Sequence, residues 1–220
     1  MMTTEQTLGE VVAASPAAAR IFHRHHLDFC CGGQQSLTQA CTASGIDPDA
    51  LLREIAAAGS AEQTEVRWDQ RRVEELVGHI LDHYHAPLRE ELPRLIDLAS
   101  RVEQVHAEKP ECPKGLAALL VGVRDAVENH LGKEEGILFP LILSGRGGMA
   151  RMPVQVMLQE HEDHGQSLRR IRALADDFQA PAEACASWRE LYRSLEQLEF
   201  DLMEHIHLEN NILFPRALAD

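Results

Sequence analysis

The sequence predicts an all-α protein, a four-helix up-down bundle with a small N-terminal helical domain. Three observations carry this. Apolar residues recur at spacings of three and four through most of residues 69–213. No run of β-branched residues alternates with polar ones, so strands are not expected. The tetrapeptide Ile-Leu-Phe-Pro occurs twice, each time behind a histidine and a glutamate: His130, Glu134, Ile137–Pro140 and His205, Glu209, Ile212–Pro215. His85 precedes His130 by 45 residues and His161 precedes His205 by 44, so the two halves superpose with a one-residue slip. Each half reads as a helical hairpin, and two hairpins make a bundle with a pseudo-twofold axis.

In the first 60 residues, Leu8–Ala14 is a candidate helix stopped by Ser15-Pro16, and Pro16–His25 is another with Pro in its first turn. Ser36–Ser44 follows the Cys30-Cys31-Gly32-Gly33 turn, and a helix opened by Asp47-Pro48 runs to Ala58 and is closed by Gly59. The polar, aperiodic stretch 59–65 marks a domain boundary, dividing residues 1–62 from 63–220.

Helix A is expected over 69–107, with Pro87 and Pro93 bending it or loosening a turn. Lys109–Pro113 is a break. Helix B spans 114–143, and a loop follows at Gly145–Gly148. Helix C covers 154–178, with Val154, Met157, His161, His164, Leu168 and Ile171 along its inner stripe. Helix D covers 181–213. Pro140 and Pro215 are expected to end their helices, with Ile-Leu packed over the His-Glu face.

The 220 residues carry a formal charge of −14, which argues against general affinity for nucleic acid or anionic membranes. The N-terminus shows no secretory signal, and no stretch approaches the roughly 20 apolar residues of a membrane span. The five cysteines form no recognisable disulfide framework, so the expected compartment is the reducing cytoplasm.

Residues four apart share a helix face, about 6 Å along the axis. Each repeat therefore presents an imidazole beside a carboxylate. His85, His130, Glu134, His161, His205 and Glu209 all fall on or beside apolar stripes, where charged groups are costly unless paired or metal-bound. Four His and two Glu divide into two imidazoles per metal with both carboxylates bridging, leaving room for a bridging oxo or hydroxo group and an exogenous ligand. Mixed imidazole and carboxylate suits iron, and manganese or zinc also fits.

His164 is a further candidate ligand or outer donor. Asp82 and Asp201 could each orient an imidazole, although solvated carboxylates are the simpler reading. His79, His83, His106 and His207 read as surface or outer residues. Adjacent Cα atoms, 3.8 Å apart, disfavour an internal Cys30–Cys31 bridge, so the pair suits metal transfer, redox chemistry or an intermolecular link. Cys41, Cys112 and Cys185 read as structural or incidental.

The segment Leu27–Gly33, the stretch Val102–Pro110, the paired His-Glu-ILFP units and the terminal run Leu208–Leu218 together resemble the iron-sulfur cluster repair di-iron proteins, the RIC family with an ScdA-type N-terminal domain. The resemblance covers essentially the whole chain. It implies a hemerythrin-like bundle holding two non-haem iron ions. Their ligands would be His85, His130, Glu134, His161, His205 and Glu209, with Glu134 and Glu209 bridging. Glu160 matches a family carboxylate near the site, and Cys30-Cys31 is the N-terminal hallmark. The implied role is restoring iron-sulfur clusters damaged by nitric oxide or peroxide, by supplying iron, in a cytoplasmic homodimer. The implied partners are damaged or apo iron-sulfur proteins, with nitric oxide or oxygen as small ligands. Oxygen-carrying hemerythrins place a second His four residues after the helix C ligand. Here that position is Gly165 and His164 is out of step, which disfavours a reversible oxygen carrier. An enzyme that reduces nitric oxide or peroxide at the same centre is the alternative, and a sensor or oxygen-binding module is a third.

Overall fold

The computed structural model describes residues 2–61 and 66–219. Among them all regular structure is helical, with one isolated bridge between Thr7 and Ser36. Four short helices come first: α1 (Leu8–Ala14), α2 (Ala17–Arg24), α3 (Leu37–Ser44) and α4 (Pro48–Ala61). Thr7 and Ser36 close capping boxes with Glu10 and Gln39, satisfying orphan N–H groups at the starts of α1 and α3. Gly45 ends α3 in the left-handed region at φ 68°, where a side chain would be strained. The helix expected to close at Gly59 continues to Ala61, and the boundary expected at 62/63 lies outside the described residues.

Four long rods form the bundle. Rod A is α5 (Val73–Ile80), a π-helical turn (Leu81–His85) and α6 (Ala86–Val105). Rod B is α7 (Leu116–Lys133), a π turn (Glu134–Leu138) and α8 (Phe139–Leu143). Rod C is the uninterrupted α9 (Gly147–Leu174), and rod D is α10 (Ala186–His207), a π turn (Leu208–Leu213) and α11 (Phe214–Ala219).

Pro140 and Pro215 do not end their helices. Each sits in the first turn of α8 or α11, directly after a π turn, as Pro87 does in α6. A π turn has already shifted the hydrogen-bond register, so a residue without an N–H removes little there. The loop expected at 145–148 is also shorter, because α9 opens at Gly147. A Cβ there would meet the Ala217 carbonyl oxygen at 2.1 Å, so glycine permits rod C to start against the end of rod D.

Three apolar clusters surround the centre of the bundle. One, with Leu95, Leu120, Trp188 and Leu195, fills the end towards the A–B and C–D loops. A second, with Leu76, Leu138, Met157 and Leu213, fills the opposite end. The third, with Leu8, Phe22, Phe29 and Leu37, belongs to the N-terminal helices and is joined by Phe200 of rod D. His23 of α2 and Arg172 of rod C both bond Glu199 of rod D, with His23 Nε2 to Oε2 at 2.8 Å and Arg172 Nε to Oε1 at 3.1 Å.

Candidate metal centre

The six predicted side chains converge between the two bundle clusters. His85 closes the first π turn, Glu134 opens the second and Glu209 lies in the third. π turns recur at functional sites because the added residue re-aims the side chains of a helix. All six residues are between 0% and 2% exposed. Nε2 of His85 faces Nε2 of His205 at 3.2 Å, and Nε2 of His161 faces that of His130 at 3.1 Å. Glu134 Oε2 lies 3.4 Å from Nε2 of both His85 and His130. Glu209 reaches His161 and His205 at 3.2 Å each. The donors form two overlapping groups, His85–Glu134–His205–Glu209 and His130–Glu134–His161–Glu209, each with its ligand atoms within 4.8 Å of one another. Both carboxylates belong to both groups.

The donor set fits a pair of cations. Neither oxygen of Glu134 or of Glu209 finds a hydrogen-bond donor, although all four are buried. Uncompensated buried carboxylates cost several kcal/mol each, and coordination removes that cost. The imidazoles tell the same story. Nδ1 of His130 sits 3.0 Å from Glu160 Oε2, and Nδ1 of His161 sits 2.6 Å from Asn210 Oδ1. Carboxylate and amide oxygens only accept, so these partners assign the proton to Nδ1 and leave lone pairs on both Nε2 atoms. Two lone pairs facing each other at 3.1 Å repel unless a cation lies beside them.

Electrostatics follow from burial. Burial, with His205 alongside, pushes His85 down to about 4, and burial with His161 alongside pushes His130 down to about 2. These rings stay neutral, as a metal ligand must. Burial and then the neighbouring Glu209 raise the Glu134 carboxyl well above its ordinary value. Burial opposes ionisation of Glu209 too, and it is positive charge at the His205 and His161 positions, on the rings or on a cation they hold, that brings this carboxyl well below the usual range.

Two of the outer partners, Glu135 and Asn210, are not among the residues the sequence singles out. Glu135 accepts from His85 Nδ1 at 2.8 Å and is itself held by Arg89, while Asn210 accepts from His161. Each directly follows the glutamate of its repeat, so the signal was present at the position after Glu134 and Glu209. Glu160 orients His130 and pairs with Lys133. By the pseudo-twofold, the counterpart of Glu160 is Tyr84, the residue before His85. It stacks on His205 with ring centroids 5.4 Å apart. Nδ1 of His205 is the one outer imidazole nitrogen among the four without a partner.

The remaining candidates sort as follows. His164 is buried with an unpartnered Nε2, its ring 4.9 Å from that of His130 but outside the two donor groups. Asp82 is exposed and Asp201 bonds Gln197, so neither orients an imidazole. His207, expected at the surface or in an outer role, is buried between Asn211 and Phe29, and burial lowers it to about 4. His79 stacks on Trp68, His83 is exposed, and His106 meets Cys185 Sγ at 3.2 Å. In the ILFP tails, Ile137 is 55% exposed and does not cover the site. The phenylalanines do so symmetrically, Phe139 on His85 and Phe214 on His161.

All five cysteines are free. Cys30 and Cys31 hold their sulfurs 3.9 Å apart in a loop seated on the bundle. Cys31 Sγ reaches the His161 carbonyl at 3.4 Å, and Asn210 and Asn211 both donate to the Cys30 carbonyl. Gly33 allows this seating, since a Cβ there would stand 2.6 Å from Asn211 Oδ1. The Cys31 contact, then burial and Asp28, push the Cys30 thiol well up from its ordinary value.

Fold and site together define a hemerythrin-like protein, a helical bundle closed around a buried His/Glu cation site. The model of the hemerythrin HHE cation-binding domain matches residues 76–217, and a domain of unknown function, ScdA_N, matches residues 4–59. The chain is 45% identical over 214 residues to an iron-sulfur cluster repair protein YtfE of Dickeya chrysanthemi, covering 97% of each chain. It is 44% identical over 213 residues to that of Yersinia pseudotuberculosis, covering 97% of this chain and 96% of the other. The chain belongs to this iron-sulfur cluster repair family.

Proposed function

We propose that the chain holds two iron ions, bridged by Glu134 and Glu209, and gives up iron to rebuild damaged iron-sulfur clusters. The supporting observation is the donor count. Four imidazoles and two shared carboxylates supply four protein donors to each position, fewer than iron commonly takes. Such a site retains metal less firmly than a closed structural one and admits a small ligand. Iron bound there would supply redox chemistry and affinity for nitric oxide or oxygen. The relatives are named as iron-sulfur cluster repair proteins, which supports the same reading.

The residues have separate tasks in this proposal. His85, His130, His161 and His205 bind through Nε2. Glu135, Glu160 and Asn210 hold protons on Nδ1 and so keep three of those lone pairs pointing inward. Cys30 and Cys31 accept iron or meet the client, the N-terminal unit 1–62 serving as the transfer arm of the bundle 63–220. The partners are apo or damaged iron-sulfur proteins, and the working form is a cytoplasmic homodimer.

The test is anaerobic. Iron-loaded chain is mixed with an apo aconitase-type enzyme, and client activity and chain-bound iron are followed together. Stoichiometric reactivation with matching loss of iron supports donation. Client that stays inactive while the chain keeps its iron refutes it. The open coordination positions also favour a second reading, a nitric oxide or peroxide reductase, which predicts steady N₂O production with a reductant and unchanged iron content.

A further inference from the structure

We propose a third cation site outside the bundle, formed by the carboxylate of Asp28 and the thiolates of Cys30 and Cys31, for a thiophilic divalent ion such as ferrous iron. Its identification with iron rests on the donation reading, whereas the site itself rests on geometry alone. The three side chains bring one oxygen and two sulfurs within 4.8 Å of one another. Asp28 Oδ1 lies 3.2 Å from Cys30 Sγ, and the two sulfurs are 3.9 Å apart.

The loop is built to hold this arrangement. Backbone N–H groups of Cys30 and Cys31 both donate to Asp28 Oδ1, at 3.2 and 2.9 Å, fixing the carboxylate over the thiols. A Cβ on Gly32 would stand 2.7 Å from the Asp28 carbonyl oxygen, so the turn after the cysteines depends on glycine. From the bundle side, Asn211 holds the Phe29 and Cys30 carbonyls at 3.2 and 3.3 Å.

Access is present as well. A cavity of about 470 Å³ runs between the N-terminal helices and rods C and D, with Asp28, Cys30, Leu168, Arg169 and Met203 on its walls. An ion can enter from that side without passing through the bundle core. Binding exchanges two thiol protons, released to solvent, for one divalent cation, so charge balances with no redox step. Two thiolates and one carboxylate select a borderline or soft metal and leave a fourth position open for exchange, in contrast to the imidazole and carboxylate set inside the bundle.

The experiment is an anaerobic titration of the full chain, its bundle already loaded with iron, with Cd²⁺. Thiolate-to-metal charge-transfer absorbance reads the new site, and iron content reads the bundle. The expected result is one equivalent of saturable absorbance with no iron displaced. Cys30→Ser and Cys31→Ser should each lose it. Asp28→Asn should weaken it by about tenfold or more, and Cys185→Ser should leave it unchanged. The proposal is overturned if no thiolate absorbance develops at one equivalent, if Asp28→Asn binds as tightly as the parent, or if absorbance survives in the Cys30 and Cys31 variants. No client is present, so these outcomes are independent of whether donation occurs.

Discussion

Asn210 Oδ1 sits 2.6 Å from Nδ1 of His161, while the amide nitrogen of the same side chain donates to the Cys30 carbonyl at 3.4 Å. One residue therefore sets the tautomer of a proposed metal ligand and ties down the cysteine loop. Asn210→Ala removes both contacts. Outer partners of metal-bound histidines are worth about 10- to 100-fold in affinity, so metal binding should weaken by that order in competition with a chelator. Asn210→Asp, which still accepts from Nδ1, should recover most of the loss.

Metal removal should expose the cost of the buried acids. Without a cation, both carboxylates have no hydrogen-bond donor. Burial and Glu209 oppose ionisation of Glu134, so folding without metal must force a proton onto that acid, and Glu134→Gln removes this cost. The metal-free variant should melt higher than the metal-free parent, by about 1–3 kcal/mol in unfolding free energy. Loaded protein should show the reverse order, with less than two metals per chain by elemental analysis. Scanning calorimetry of both forms checks the crossing.

The two metal positions differ in support. His130 is oriented by Glu160, whereas its symmetry counterpart His205 is faced by the ring of Tyr84 and has no acceptor at Nδ1. Chelator extraction should accordingly be biphasic, the His85/His205 position emptying first. Glu160→Gln weakens support for the other position, and the two phases should converge.

Acid should loosen the contact between α2 and the bundle. Burial raises Glu199, but His23 and Arg172 outweigh it and the net shift is downward. A carboxylate depressed in the folded state contributes stability above its unfolded value of about 4.3, and that contribution disappears as pH falls through the lowered one. Glu199→Gln should therefore destabilise by about 1–3 kcal/mol at pH 7. The difference from the parent should shrink below about pH 4, as urea denaturation across pH would show.

The cysteine pair separates storage from delivery. Replacing Cys30 and Cys31 together by Ser leaves every proposed ligand in the bundle untouched, so bound iron should remain near two per chain. Reactivation of an apo aconitase-type client should be abolished. Full repair by that variant would remove the thiols from the mechanism.

The bundle and its six inward residues were legible because they depend on short-range regularity. The i, i+4 relation puts His130 beside Glu134 and His205 beside Glu209 whatever the rest of the chain does, and the repeat pairs the two halves. The helix ends expected at Pro140 and Pro215 do not occur, since a proline after a π turn is compatible with continued helix and the added residue leaves no composition signal.

What the sequence determined by itself was therefore the helical class, the twofold pattern and the inward set of imidazoles and carboxylates. Tertiary structure alone decided the partners set by distances between rods: Glu135 on His85, Asn210 on His161, an empty Nδ1 at His205, and the Asp28–Cys31 loop seated on rods C and D. Helical periodicity tells which way a side chain faces. It carries nothing about which residue stands opposite, because that depends on how far each rod slides and turns against its neighbours.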